Sequence, residues 1–334
     1  MILGSSTLHH SEIQVVAKPQ RPPTVAIWAA MFALYIIWGS TYLAIRYAVE
    51  SLPPFLMASV RFLLAGTTVY AWRRARGDAV PSRQEWRSAA IIGILLLVGG
   101  NGGVTWAEQR VASGVASLLV GTLPLWMVLL DALRPGGRRP DWREILGVLT
   151  GFAGVVVLLR PTQSTDGVGN IDLLGAAVVI LAAFFWSVGS LYSRTASLPS
   201  SPLLATSMEM LTGGAGLLLL GTLSGEWGRL DLAAVSARSL WGLVYLTVFG
   251  SLVAFTAYTW LLRVAPTSLV STYAYVNPLV AILLGHFLAG ESLTARTLVA
   301  AIAIAGSVAL ITTIQPAASK SKKTRPELAS AEEG

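Results

Sequence analysis

The sequence contains no cysteine and only three histidines among its 334 residues. The absence of cysteine excludes disulfide bonds, thiolate metal sites and cysteine nucleophiles. His9 and His10 lie in the polar N-terminal segment, so only His286 is predicted to be buried, and neither a metal triad nor an HExxH motif can form. No GxSxG motif occurs either. The chain is not expected to be an enzyme or to need a metal or cofactor; the one enzymatic alternative is an intramembrane protease in which His286 meets a serine.

Charge is also scarce, because charged residues make up 12% of the chain and apolar residues 54%, with a mean hydropathy of +0.65. A soluble protein typically has about 25% charged residues. Ten apolar runs approach the roughly 20 residues needed to cross a bilayer as a helix. Strands are excluded, since lipid does not tolerate open sheet edges. The predicted fold is an all-α polytopic membrane protein with ten transmembrane helices. They cover residues 25–46, 55–72, 88–106, 112–133, 142–159, 172–192, 202–223, 240–262, 269–289 and 295–314.

An internal repeat organises these helices. Trp38 and Arg46 are eight residues apart, as are Trp186 and Arg194, which follow 148 residues later. The same offset places Arg61 on Glu209. Five helices is an odd number, so the second copy must enter the membrane from the opposite side and the repeats are inverted. The predicted division is a cytoplasmic tail (1–24), a first repeat (25–160), an outer linker (161–171), a second repeat (172–314) and a cytoplasmic disordered tail (315–334).

Inverted repeats favour a transporter, because two antiparallel copies can exchange conformations around a site at the midplane, which is alternating access. Duplicated repeats also occur in channels and in inert scaffolds, so both are alternatives to a transporter. No nucleotide-binding motif is present, so an ion or the substrate gradient would supply the energy.

The distribution of arginine and lysine predicts the orientation. With the N-terminus inside, 17 of the 24 basic residues fall in inner segments and six in outer connections. Cytoplasmic loops retain positive charge, so both termini are predicted to be cytoplasmic in a multi-pass inner-membrane protein. The net charge of +7 then reflects arginines facing anionic lipid headgroups, and no nucleic-acid partner is expected.

The expected partners are the lipid bilayer and a small-molecule substrate. Gly147, Gly151 and Gly154 form a small-residue face, which packs either within one chain or between two, and a monomer is expected rather than a homodimer.

Four segments resemble a known family. They are WGSTY at 38–42, VRFLLAG at 60–66, YVNPLVA at 275–281 and GESLT at 290–294. Together they are similar to the EamA-type members of the drug/metabolite transporter superfamily, over about residues 25–315. The resemblance implies ten helices, inverted five-helix repeats and a central cavity for small metabolites, often amino acids. The chain departs from the pattern at 134–138, where the first-half turn lacks the acidic residue that matches Glu291, so the two turns are expected to be held differently.

Arg61 and Glu209 are charges at membrane depth. A charge near the bilayer centre costs at least ~2.5–3.5 kcal/mol, so each must face protein or a wet cavity. We expect them to neutralise each other or a zwitterionic substrate; a structural ion pair is the alternative. Glu209 is also the candidate for proton coupling, because a desolvated carboxyl group favours its neutral form. It could equally be a permanently ionised partner of Arg61.

Aromatic and amide side chains complete the predicted site. Mid-membrane aromatic rings that face a cavity can stack on cargo, although core packing explains them equally well. Pro124 and Pro278 are predicted hinges, because proline removes a helical hydrogen bond. The Gly99–Gly103 cluster is expected to be a flexible or closely packed helix segment rather than a phosphate cradle. The candidate substrate-binding residues are Trp38, Tyr42, Arg61, Asn101, Trp126, Trp186, Glu209, Tyr275 and Asn277.

The resulting functional prediction is an alternating-access transporter that exports small amphipathic metabolites such as amino acids, including aromatic ones. The alternatives are a pore or channel, a ligand-binding membrane receptor and a multidrug cation exporter.

Overall fold

The computed structural model describes residues 23–134, 139–160, 171–265, 267–270 and 272–314. All regular structure in these ranges is helical, without strands. Eight helices are long and apolar enough to cross a membrane: α1 (Thr24–Ala48), α2 (Pro54–Ala75), α3 (Arg83–Ala107), α4 (Ser113–Leu133), α5 (Trp142–Leu159), α6 (Leu173–Ser193), α7 (Pro202–Leu223) and α8 (Ala237–Leu261). Two further helices are α9 (Tyr273–Ala289) and α10 (Ala295–Ile314), each with a shorter apolar stretch. The chain is therefore a multi-pass membrane protein, while the predicted tails and outer linker lie almost wholly outside the described residues.

The start of α3 differs from its predicted position because the preceding residues cap the helix. α3 begins at Arg83 rather than at residue 88, because Ser82 and Glu85 form a capping box. The Ser82 hydroxyl accepts from the Glu85 amide at 3.3 Å, and the Glu85 carboxylate accepts from the Ser82 amide at 2.6 Å. These bonds satisfy amides at the helix start that have no intrahelical partner, so the helix extends into a polar segment.

Several spans are not regular α-helices. α3 and α8 each contain a π-helical segment, Ile94–Gly102 and Leu246–Val253. A π-helical segment is rare and is frequently found at functional sites. α4 was predicted to be continuous over 112–133, but it consists of two pieces, Ser113–Val120 and Leu123–Leu133. A run of apolar residues predicts length without showing such interruptions.

The two predicted hinge prolines lie where α4 and α9 meet. Pro124 occupies the first turn of the second piece of α4, where its missing N–H leaves no helical bond unmade. Pro278 lies inside α9 and does remove one. A Cβ atom on Gly121, at the break in α4, would lie 3.6 Å from the Pro278 ring. The structure thus brings both prolines close to one helix crossing.

Helix packing brings distant parts of the chain together. α2 packs on α7 and α5 packs on α10, while α1 contacts α8 and α9, and α6 contacts α3 and α4. The small-residue face of α5 packs within the chain, since a Cβ on Gly147 would lie 2.8 Å from Ile311 and one on Gly151 would lie 2.7 Å from the Ser307 hydroxyl. α1, α3, α6 and α8 therefore surround the centre of the molecule.

Candidate substrate-binding site

A cavity of about 120 Å³ lies at this centre. Helices α1, α2, α3, α4, α6, α8 and α9 all contribute to its wall. Six of the nine predicted site residues line it, namely Trp38, Tyr42, Arg61, Asn101, Trp186 and Asn277. The wall also includes Phe255 and Tyr273, so the cavity is mainly aromatic and apolar with a few polar groups. Such a composition is typical of small-molecule sites.

Trp38 joins α1 to the π-helical segment of α8. Its indole N–H donates to the backbone carbonyl of Gly250 at 3.3 Å. Its ring packs against Phe255, Tyr258 and Tyr273, with centroid distances of 5.3, 5.2 and 5.1 Å. The polar atom of Trp38 is therefore satisfied by protein, and its ring is held in place as part of the cavity wall.

Trp186 makes the corresponding approach to the π-helical segment of α3. A Cβ atom on Gly100 would lie 2.9 Å from the Trp186 ring, so only glycine allows this contact. Neighbouring Gly99 and Gly102 are also closely packed, against Phe185 and Leu217. The Gly99–Gly103 cluster was expected to be either flexible or closely packed, and the structure shows close packing. Each of the two repeat-related tryptophans contacts a π-helical segment from the other half of the chain.

Arg61 is a buried cation in the cavity wall, with 4% of its surface exposed. Its Nε donates to the Ser251 hydroxyl at 2.9 Å, and its guanidinium carbon lies 4.7 Å from the Phe62 ring centroid. Within the described residues no carboxylate forms a salt bridge with it. The expected direct pairing with Glu209 is absent there, because α2 and α7 run antiparallel and both residues lie near the starts of their helices.

Glu209 lies near the cavity without lining it. Its side chain is half-buried, and its carboxylate has no hydrogen bond or ion pair within the part of the chain that is described. It interacts electrostatically with Tyr258, which in turn contacts the Trp38 ring. Glu209 is thus linked electrostatically to a residue that packs on the Trp38 ring of the cavity wall.

The two predicted amides both face the cavity, and Asn277 is fixed by its neighbours. With its amide nitrogen turned toward α1, Asn277 donates to the carbonyls of Tyr35 and Tyr273, at 3.3 Å each. Asn101 lies in the π-helical segment of α3, where its backbone carbonyl accepts from the Thr105 hydroxyl at 2.8 Å. The side-chain oxygen of Asn101 accepts a longer bond from the same hydroxyl, at 3.4 Å.

Three other predictions have different outcomes. Trp126 does not line the cavity; it packs edge-on between Phe152 and Phe184, at 5.3 and 5.4 Å, which fits the alternative of core packing. The side chain of Tyr275 lies outside the described part. The prediction that His286 is buried is wrong, because its ring is exposed on α9 with Nδ1 3.0 Å from the Glu291 carbonyl oxygen. The ring faces outward because the neighbouring residue Gly285 is the one that packs against Ser113 at the start of α4.

Comparisons with known proteins agree with this architecture. The profile of the EamA-like transporter family matches residues 25–160 and again 173–313. The chain belongs to the EamA-like transporter family. It is 40% identical over 290 residues to the uncharacterized inner membrane transporter YedA of Escherichia coli K12, which covers 86% of this chain and 90% of that protein. It is 25% identical over 278 residues to a WAT1-related chloroplastic protein of Arabidopsis thaliana, over 82% and 66% of the two chains.

The chain also shares its fold with a protein of known crystal structure. Its TM-score is 0.59 at 24% identity, and the match covers 87% of this chain and 98% of that one. The family profile and the relatives confirm the predicted family resemblance, and this EamA-like protein is a membrane transporter.

A second cavity of the EamA-like chain, of about 320 Å³, opens where α1, α3 and α9 end. We call it the outer vestibule, after its predicted side of the membrane. Its charged lining residues are Arg46, Glu50, Arg110, Arg238 and Glu291. Arg110 pairs with Asp172 at 3.5 Å and Arg238 pairs with Glu50 at 3.6 Å. The vestibule therefore carries both signs of charge.

Two glutamates cap helices at this end. Glu291 accepts from the amides of Ser113 and Gly114, at 2.7 and 3.0 Å, and so caps α4. Glu226 accepts from the amide of Leu56 at 2.9 Å and caps α2. Both glutamates follow another helix in sequence, so each cap ties two helices together. The turn at 135–138, which was expected to differ from that at Glu291, lies outside the described residues.

The sequence prediction missed several residues that shape the site, in particular Gly100, Gly250, Ser251, Phe255 and Tyr273. One signal could have found two of them. The repeat offset that relates Trp38 to Trp186 also relates Gly100 to Gly250 within two residues. Ser251 carried no such signal, because an isolated serine in an apolar run most often bonds its own helix.

Proposed function

We propose that this transporter exports small amphipathic metabolites, with amino acids, including aromatic ones, as the substrate class. The observation that carries the proposal is Arg61, a buried cation without a carboxylate partner among the described residues, in a cavity whose wall is otherwise mainly aromatic and aliphatic. The carboxylate of an amino acid would supply the missing negative charge. Trp38, Trp186 and Tyr273 would provide apolar surface for its side chain.

The same observation argues against a multidrug cation exporter. The charged group in the wall of the cavity is itself a cation, so a cationic drug would meet repulsion from Arg61 at low dielectric. A zwitterion or an anion avoids this penalty.

We further propose alternating access by two inverted five-helix repeats, 25–160 and 172–314. Two features support this: the family profile matches twice, and α1 contacts α8 and α9 much as α6 contacts α3 and α4. Trp38 and Trp186, which the repeat relates, each contact a π-helical segment of the other half. A site between two such copies can open to either side as they exchange conformations.

Glu209 is the proposed proton-coupling residue. It has no ion pair or hydrogen bond in the described part, and it lies within electrostatic range of Tyr258, which packs on the Trp38 ring of the cavity wall. A half-buried carboxyl group without a fixed partner can take up a proton or release it when cargo binds nearby. The protein would work as a monomer in the inner membrane with both termini in the cytoplasm.

The test is counterflow in liposomes containing the purified protein. Labelled Trp, Phe, Thr and Met would be offered to vesicles preloaded with unlabelled amino acid, with empty liposomes as the control. Saturable accumulation that each amino acid inhibits for the others supports a carrier of this class. Non-saturable flux would instead indicate a channel, and binding without flux a receptor.

A variant pair links counterflow to the site. We expect Arg61→Gln to lose most of the accumulation, because the carboxylate of the cargo then has no cation to meet. Arg76→Gln removes the same charge from an exposed position at the end of α2 and should leave accumulation unchanged. Equal accumulation by the two variants, or accumulation of cationic drugs alone, would contradict the proposed substrate class.

A further inference from the structure

A buried carboxyl group that has no hydrogen-bond partner among the described residues lies between the central cavity and the outer vestibule. Glu108 directly follows the last residue of α3, and its side chain has 0% exposure. Neither of its carboxyl oxygens has a hydrogen-bond partner in the part of the chain that the structure describes. Burial strongly disfavours an ionised carboxylate that is not paired.

Groups from two other elements face Glu108. From α1, Tyr42 lies within electrostatic range and also lines the central cavity. Arg46, one turn further along α1, lines the outer vestibule; its Nη1 donates to the backbone carbonyl of Glu108 at 2.6 Å, not to the carboxyl group. From the turn before α10, Glu291 adds a second negative charge. Glu108 therefore lies between residues of the two cavities.

The other charged groups near Glu108 already have hydrogen-bond or ion-pair partners. Arg110, two residues along the chain, pairs with Asp172 at the start of α6. The Glu291 carboxylate accepts two backbone N–H bonds at the start of α4, whereas that of Glu108 accepts none. Hydrogen bonds to an ionised carboxylate favour its charged form. Of the two glutamates, Glu108 is thus the one whose surroundings favour the protonated form.

The electrostatics of the site agree with this geometry. Burial raises the pKa of Glu108 well above its usual range, the charge of Glu291 raises that pKa further, and Arg46 opposes both. The neutral acid is accordingly the form that the described conformation stabilises.

We propose that Glu108 is a proton-binding site between the central cavity and the outer vestibule, and that its carboxyl group exchanges this proton for the guanidinium of Arg46. In the described conformation the proton is bound, and Arg46 donates to the adjacent backbone carbonyl. Release breaks the O–H bond and transfers the proton to water in the vestibule. The carboxylate that remains accepts an N–H bond from Arg46, which balances its charge. Glu108 is distinct from Glu209, and the site does not depend on the proposed cargo.

Infrared difference spectroscopy across a pH titration tests the bound proton directly. The purified full-length protein in lipid nanodiscs should show a protonated-carboxyl stretch at neutral pH. Glu108→Gln should lose that band, and Glu85→Gln should keep it, because Glu85 is only partly buried at the polar start of α3 and glutamine preserves its capping box. A carboxyl region unchanged by Glu108→Gln would overturn the proposal. So would a band that Glu209→Gln abolishes and Glu108→Gln does not.

Thermal stability gives a second readout that needs no substrate. A carboxyl group whose pKa is raised by folding makes the folded protein lose stability as pH rises through the ordinary and then the raised pKa. Glu108→Gln lacks this loss, so its melting temperature should exceed that of the wild type at alkaline pH and approach it at acid pH. A variant that is less stable than the wild type at neutral and alkaline pH and matches it at acid pH would overturn the proposal, since a carboxylate paired with Arg46 contributes stability that is lost as the pH falls.

Should Glu108→Gln fail to fold, Glu108→Asp replaces it in the infrared experiment. The band should then move to the position of a protonated aspartic acid, and an unmoved band would overturn the assignment. Neither measurement involves transport, so both are independent of the counterflow result.

Discussion

Among the described residues Arg61 has no carboxylate partner, and two other interactions stabilise its charge at membrane depth. A hydrogen bond to a charged group contributes about 1.5–3 kcal/mol, which Ser251 supplies. A desolvated cation–π contact contributes about 0.5–2 kcal/mol, which Phe62 supplies. Their sum is comparable with the ~2.5–3.5 kcal/mol needed to place the charge at depth. Within the described part of the chain no carboxylate then balances the Arg61 charge, which is the condition that the proposed binding of an amino acid requires.

Glu209 leads to a prediction at the same scale. We expect Glu209→Gln to retain cargo binding but to lose the pH dependence of transport, because the amide cannot take up or release the proton. Counterflow rates measured from acid to alkaline pH check this, with Glu85→Gln as a matched control that should keep the wild-type profile. Unchanged pH dependence with normal flux would remove Glu209 from the coupling role.

The residue types in the sequence predicted the chemistry of the site better than they predicted which way each side chain points. Trp126 and Trp186 are the same residue type at similar depth in apolar helices, yet only Trp186 lines the cavity. Which way a tryptophan points depends on how its helix is rotated against its neighbours, and that rotation is a property of packing. Arg61 was predictable because burying its charge requires a cavity or a polar partner wherever the helix turns.

Among the elements, the turn between α9 and α10 combines a cap with a glycine that makes room for it. A Cβ atom on Gly285 would overlap the Glu291 carboxylate and lie 3.0 Å from the Ser113 hydroxyl. Gly290, at the end of α9, has φ +66°, a left-handed conformation that favours glycine. The chain can therefore fold back so that Glu291 reaches the first amides of α4.

This geometry predicts that Gly285→Ala destabilises the protein. The methyl group would push Glu291 off the α4 amides, and losing a cap costs about 0.5–2 kcal/mol. Gly306→Ala is the matched control, since nothing lies within 4 Å of a Cβ there and alanine is the better helix former. Thermal unfolding in detergent should show a lower melting temperature for Gly285→Ala and an equal or higher one for Gly306→Ala. Equal melting temperatures would show that the Glu291 cap contributes nothing to stability.

The sequence predicted which segments are helices and how long they are, but it did not predict where those helices depart from regular α-helical geometry. The apolar runs gave α5 and α7 at their observed bounds, because the bilayer sets the length of a spanning helix. The π-helical segments of α3 and α8 and the break in α4 depend on contacts with other helices, such as the approach of Trp186 to Gly100. No local pattern of apolar residues reports those contacts.

For the whole molecule, the odd number of helices per proposed repeat has a consequence that can be measured. Five helices, α3 to α7, separate the α2–α3 loop from the α7–α8 loop, so these loops should lie on opposite sides of the membrane. Val80 and Leu232 are exposed in these loops, at 75% and 78%. The chain contains no cysteine, so a single introduced thiol would be the only target for a maleimide.

We therefore expect Leu232→Cys to react with a membrane-impermeant maleimide in right-side-out membrane vesicles, and Val80→Cys to react only after the vesicles are permeabilised. The excess of arginine on the Val80 side is the physical reason, because cytoplasmic loops retain basic residues. The cysteine-free wild type controls for background labelling. The reverse pattern would invert the proposed orientation while keeping the repeats inverted. Labelling of both positions from one side would require an even number of crossings between them, and the inverted-repeat architecture would then fail together with the alternating access that depends on it.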